Sequence, residues 1–210
     1  MARSRLSIVM VGLGMFLLLN PLVLQGKKEP QQTPENTISL KLPEPVKPQT
    51  FSRPLKFFVA NVIDRTGDPR PMLVSEVRGG IFFDRDRTAV VREALEDSLR
   101  AAGMLAPDEA SADFLLSVYL FQFGLAEGSG FEIFTKLEMN VVVKSRTTGK
   151  SQEVPALGTS IEQVALRKRN IMKRAQASLE ECLTTAVRNF LRGVKLREAI
   201  ESLSASAPPS

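Results

Sequence analysis

The chain has no histidine and no tryptophan, and it holds one cysteine and one tyrosine in 210 residues. Without histidine, the commonest general base, the commonest metal ligand and every Ser-His or Cys-His nucleophile pair are ruled out. A single cysteine forbids an internal disulfide and a thiolate metal cluster. The charge imbalance is also small. Arg3 and Arg5 contribute two of the net +5, so the chain after residue 26 carries 5 − 2 = +3, too little to argue for a nucleic-acid partner.

What is present is strongly ordered along the chain. After the basic start comes an apolar run from Leu6 to Leu24, broken by Ser7, Asn20 and Pro21. As a helix these nineteen residues would extend about 28 Å, close to the hydrocarbon thickness of a bilayer. A basic start followed by an apolar segment is also the order of an export signal. The run ends in Leu24-Gln25-Gly26-Lys27, which has the small-residue end of a lipoprotein signal but lysine where the lipidated cysteine would stand. Residues 1–26 are therefore expected to be a signal peptide or, preferably, an uncleaved membrane anchor: leucine is a poor fit upstream of a cleavage site, and Lys27-Lys28 cap the span. Residues 27–54 contain six prolines, which remove backbone donors and favour extended chain, so a flexible tether is expected there.

A single domain is expected over 55–203, with a frayed tail at 204–210. "LKFFVANVID" reads as a strand ending at Asp64. Loop 65–85 follows, with Gly79-Gly80 breaking any regular element. Helical spacing of Val91, Ala94, Leu95 and Leu99 predicts a helix from Asp86 to Ala102, stopped at Gly103. "ADFLLSVYLFQFG" is a strand apolar on both faces. The alternation of Ile133, Leu137, Met139, Val141 and Val143 with Lys136, Glu138, Asn140 and Lys144 predicts a long half-buried strand. A turn at 146–150 leads to a fourth strand, in which Pro155 indicates an edge position. The stripe Ile171, Ala175, Leu179, Cys182, Ala186 and Phe190 predicts a helix over 169–192. The order β-α-β-β-β-α specifies an α+β two-layer sandwich: a four-stranded mixed sheet, its first two strands parallel, with two helices on one face.

No catalytic constellation emerges from these elements. Cys182 belongs to a packing stripe; Asp64, Asp84 and Asp86 suit strand exits and helix caps. "GSG" (128–130) opens no helix and so lacks the context of a phosphate loop. No cofactor is expected. Two surfaces are candidate contacts. One is the basic cluster Arg167, Lys168, Arg169, Lys173 and Arg174, which opposes the helix dipole and could take an acidic or anionic partner. The other is the sheet face away from the helices, expected to carry Phe58, Val62, Tyr119, Phe121, Phe123, Phe134 and Val142 unless loop 65–85, with Phe82 and Phe83, folds across it.

The segments "FFVANVIDRTGDPRP", "VSEVRGG", "VREALEDSLRAAGM", "ADFLLSVYLFQF", "VVVKSRTTGK" and "SLEECLTTAVRNFL", in this order after an export-type start, resemble the YajG-type family of bacterial envelope lipoproteins over residues 55–192. The layout is also similar to that of lipopolysaccharide-assembly and transporter-auxiliary lipoproteins. The resemblance implies a non-enzymatic binding or assembly role on the periplasmic side of a bacterial membrane, with an envelope protein as partner. The alternative it leaves is a lipid or glycan carrier, with its ligand between the sheet and loop 65–85.

Overall fold

A computed structural model describes residues 33, 37–42, 44–67, 73–75, 79–127, 132–163 and 171–205. The main sheet has four strands in the order β2 (Phe57–Asp64), β5 (Phe114–Glu127), β6 (Glu132–Ser145) and β7 (Ser151–Gln163). β2 and β5 are parallel and the other pairs antiparallel. The parallel pair is joined through α1 (Arg87–Ala101), and α2 (Ile171–Arg192) and α3 (Val194–Ala205) follow β7. The helices cover one face, as the α+β sandwich expected from the sequence requires.

The inner face is continuous core. Leu116, Val118, Leu120, Leu137, Val141 and Val143 have no measurable exposure, and they meet Leu95 of α1 and Leu179, Leu183 and Phe190 of α2. α1 is started by Asp86, whose carboxylate accepts from the backbone of Thr88 and Ala89, and it stops at Gly103 with φ +67°. The left-handed backbone at that position suits glycine. α2 lies so close to β7 that a Cβ on Gly158 would stand 2.0 Å from the carbonyl oxygen of Cys182. Only glycine permits that approach.

Three expectations change. Residues 37–55 do not behave as tether, because Ile38, Leu40, Val46 and Leu55 are buried in the core. β1 (Thr37–Ile38) pairs in parallel with β4 (Gly79–Phe83), and the chain then crosses the helices as a strap. Its backbone is fastened by Lys41 N–H to Glu180 Oε1 (3.0 Å), Val46 N–H to Ser98 Oγ (3.0 Å) and Gln49 N–H to the Leu191 carbonyl (3.1 Å). Proline suits such a strap: few of its backbone donors need partners away from a ladder. The folded body therefore starts near residue 37 and not at Leu55.

Loop 65–85 holds structure as well. β3 (Leu73–Ser75) pairs with β4, so Gly79-Gly80 lies within a strand. The loop does not leave the inner core: Ile81 is buried, and the Phe83 ring packs on Phe123 with centroids 5.3 Å apart. The third change is at the C-terminal end of the domain, where the amphipathic segment after Gly193 forms a helix, α3, with Leu196, Ala199, Ile200 and Leu203 buried. It runs to Ala205, past the expected start of the tail. Among the described residues no helix is long and apolar enough to cross a membrane; residues 6–24, where an anchor is expected, lie outside the described residues.

Candidate functional site

The outer face of the main sheet carries no helix, and two bulges decide which residues reach it. Pairing of β2 with β5 shifts between Val59 and Asn61, and pairing of β5 with β6 shifts between Leu120 and Gln122. Each extra residue reverses the side-chain alternation beyond it. Two residues expected on the outer face are thereby turned inward. Val62 pairs with buried Val118 and packs on the core, and Phe123 is 1% exposed. The Arg92 guanidinium donates to the carbonyls of Val59 and Ala60 (2.6 and 3.3 Å), satisfying the bulge in β2.

The other expected residues lie on the outer side. Phe58, Tyr119 and Val142 are half-buried, while Phe121, at the bulge, is 50% exposed and Phe134 37%. β7 adds two that the sequence reading missed, Leu157 at 45% and Ile161 at 61%. Their alternation with Val154 and Ala156 was the available signal. Phe134 pairs directly with Ile161 and forms a raised apolar end. Six residue pairs along the strands, Asn140 pairs with Pro155 at a depression of about 540 Å³ that is also lined by Phe121, Leu157 and Lys195 of α3. Asn140 Nδ2 donates to Glu153 Oε2 (2.6 Å), whereas its Oδ1 is buried with no partner. Lys136 and Glu138 also line the depression and form an ion pair at 2.6 Å.

The basic cluster is only partly described. Lys173 is exposed and Arg174 half-buried at the start of α2, whose first turn holds no acidic residue. Arg167, Lys168 and Arg169 lie outside the described residues, as does "GSG" (128–130).

The acids are used structurally. Asp64 pairs with Arg87 (3.2 Å) and accepts from the Thr66 backbone, and Asp86 caps α1. The hydroxyl and backbone N–H of Thr88, with help from the Ala89 N–H, hold the Asp86 carboxyl below the usual range. Burial pushes the Cys182 thiol up to about 12, and its Sγ donates to the Gly158 carbonyl. Such a thiol is not a nucleophile at neutral pH. Among the described residues no group of three or more His, Cys, Asp or Glu side chains could hold a metal ion. Two clefts flank the strap instead, one of about 660 Å³ against the end of α1 and one of about 370 Å³ against α3. Neither lies between the sheet and loop 65–85, where a carried ligand was expected.

These features define a class: an α+β sandwich with one face sealed by helices and a strap, and the other left open. No protein-family model matches the sequence, and no curated protein does. Among solved structures the chain is similar to protein XCC0632 from Xanthomonas campestris, of the family model DUF330, with a TM-score of 0.59 at 12% identity. That match covers 81% of this chain and 98% of the other, and it shows a shared fold. A candidate lipoprotein from Caulobacter crescentus CB15 matches at a TM-score of 0.41 and 13% identity, over 60% of this chain and 89% of that one. The fold is thus shared with the Xanthomonas protein, and the specific resemblance to the YajG type gains no support beyond the sequence segments that carry it.

Proposed function

We propose that this chain is a non-enzymatic, membrane-tethered protein of the bacterial cell envelope that binds a protein partner on the periplasmic side, through the outer face of its sheet. The observation that carries this reading is the uncovered face itself, with Phe121, Phe134, Leu157 and Ile161 exposed on adjoining strands. Apolar side chains clustered on one open surface mark a contact site more often than they mark ordinary surface. The apolar run at 6–24 supplies the tether, and the sequence resemblance to envelope lipoproteins supplies the compartment. The carrier alternative is weaker, because Ile81 and Phe83 occupy the space in which a ligand would have to lie.

Photo-crosslinking in intact cells tests the reading. A crosslinking amino acid at Phe134 or Ile161 is expected to trap a discrete protein adduct, while one at exposed Asn189 on α2 traps none. Adducts to lipid alone, or equal labelling at all three positions, would overturn it.

A further inference from the structure

We propose that the cleft between the strap and the end of α1 binds an amphiphile, an apolar chain that ends in an anionic group. The cleft lies on the helix-covered side of the sheet, so it goes beyond the proposed contact on the outer face and does not depend on it. Its volume of about 660 Å³ falls within the range of roughly 300–1,000 Å³ typical of small-molecule sites. The strap supplies one wall with residues 45–55, and the end of α1 supplies the other with Ser98, Ala101, Ala102 and, just beyond, Met104.

The floor selects an apolar occupant, because the polar groups set into it are already paired within the chain. Ser98, 1% exposed, donates from its hydroxyl to the Ala94 carbonyl (2.8 Å) and accepts from the Val46 N–H (3.0 Å). Gln49 donates through its backbone N–H to the Leu191 carbonyl (3.1 Å) and through Nε2 to the Gly193 carbonyl (3.3 Å). A polar guest laid over these groups loses its water without gaining an equivalent bond, whereas a hydrocarbon chain loses nothing. Around them stand Val46, Pro48 and Leu55, all buried, with half-buried Phe51 and Met104. The Phe51 ring is steadied by Phe57, with centroids 6.3 Å apart and planes tilted at 47°. Across the cleft, Ala101 and Ala102 are exposed, and their short side chains leave open the space that a longer residue would fill.

Charge selects the end group. The only charged residues that line this cleft are Lys47 and Arg53, both cations. Lys47 has no acidic partner among the described residues. Arg53 meets Asp113 only loosely, at 3.9 Å, with side chains 60% and 34% exposed. An exposed pair of that kind contributes little, and a carboxylate or phosphate that accepts two parallel N–H bonds from the planar guanidinium replaces it. Arg53 also borders the second cleft of about 370 Å³, but there Arg197 is offset by Glu201. The anionic end therefore lies on the Lys47–Arg53 side. A free fatty acid and an anionic phospholipid both present this chemistry.

The test uses the full chain in phosphatidylcholine nanodiscs, photolabelled with diazirine-bearing palmitate or diazirine-bearing phosphatidylglycerol, the adducts being located by mass spectrometry. Saturable labelling confined to residues 45–55 and 98–104 is expected. Labelling by palmitate alone identifies a free fatty acid as the source, by phosphatidylglycerol alone a bilayer lipid, and by both the chemistry they share; all three support the site. Arg53→Glu should raise the half-saturating probe concentration about tenfold. Ala102→Phe fills the cleft from an exposed position and should abolish saturable labelling, with unchanged far-UV circular dichroism showing that the fold survives. An uncharged diazirine-bearing alcohol of the same chain length should label about tenfold more weakly. Failure of both anionic probes to give saturable labelling there, indifference to either variant, or equal labelling by the alcohol overturns the inference. None of these results bears on adducts at Phe134, so the outer-face reading is judged separately.

Discussion

Adjacent residues of β6 live in different solvents. Leu137, Met139, Val141 and Val143 are in the core with at most 1% exposure, while Lys136, Glu138, Asn140 and Lys144 sit one residue away on the open face. The inner face is closed by three helices and the strap; the outer face has an ion pair, a raised apolar end and a depression, to whose rim α3 contributes only Lys195 among the described residues. Stability resides on one side of the strand, and the proposed contact on the other. The two sets of residues can therefore change almost independently, as expected for a scaffold whose contact surface is free to diverge.

The most direct way to break that comparison is to truncate neighbours on opposite faces. Leu137→Ala should cost roughly 2–5 kcal/mol in urea unfolding, and Lys136→Ala less than about 0.5 kcal/mol in the monomer. Equal costs would end the division of labour.

Next come the elements that seal the inner face. Ser98→Ala orphans the buried Val46 N–H and should cost about 1–3 kcal/mol, with hydrogen exchange at Val46 accelerating before that of β6. Gly158→Ala forces α2 away from β7 and should cost about 1–3 kcal/mol by overpacking. A neutral result would mean that the helix lies further from the sheet than described.

A smaller effect is expected at Asp86. Losing the cap in Asp86→Ala should cost about 1 kcal/mol. Because the folded carboxyl titrates below its unfolded value, that stability is present above pH ~4 and fades as the pH falls through the folded value. Parent and variant unfolding curves should therefore converge under acid; a gap that persists there would contradict the capping role.

The smallest effect is at Cys182, which should resist maleimide labelling at pH 8 until the protein is unfolded in urea. Rapid labelling of the native chain would show that the inner face opens.

Much of the fold was legible in the sequence, and each failure has a local cause. β6 announced itself because from Lys136 to Glu138 and Asn140 its outward residues are polar while Leu137, Met139 and Val141 between them are apolar. β5 was legible as a strand but its facing was not, since its residues are apolar on both faces and nothing marks Phe121 as the extra residue of a bulge. The reversal beyond it hid Phe123, and the bulge in β2 hid Val62 in the same way. The strap was obscured by its prolines, which resemble those of a linker; the spacing of Ile38, Leu40 and Leu42 was the sign of a packed edge. Leu157 and Ile161 were not legible because Pro155 marks β7 as an edge strand and says nothing of which residues face outward. The site itself depends on cross-strand neighbours, which no linear spacing displays.

Fastening the strap also sets how far the body can roam. Had residues 27–54 been free, twenty-eight links of chain at about 3.3 Å each would allow a reach of about 92 Å. With β1 starting at Thr37, the ten residues before it can span at most about 33 Å whatever their conformation. Since accessible volume scales with the cube of the leash, anchoring through residues 6–24, as proposed, would confine the domain to a space roughly twentyfold smaller and raise its local concentration beside the membrane in proportion. A weak contact on the outer face can then be populated at the bilayer although it would be sparse in bulk solution. The proline-rich strap, a spacer in composition, shortens the tether in practice.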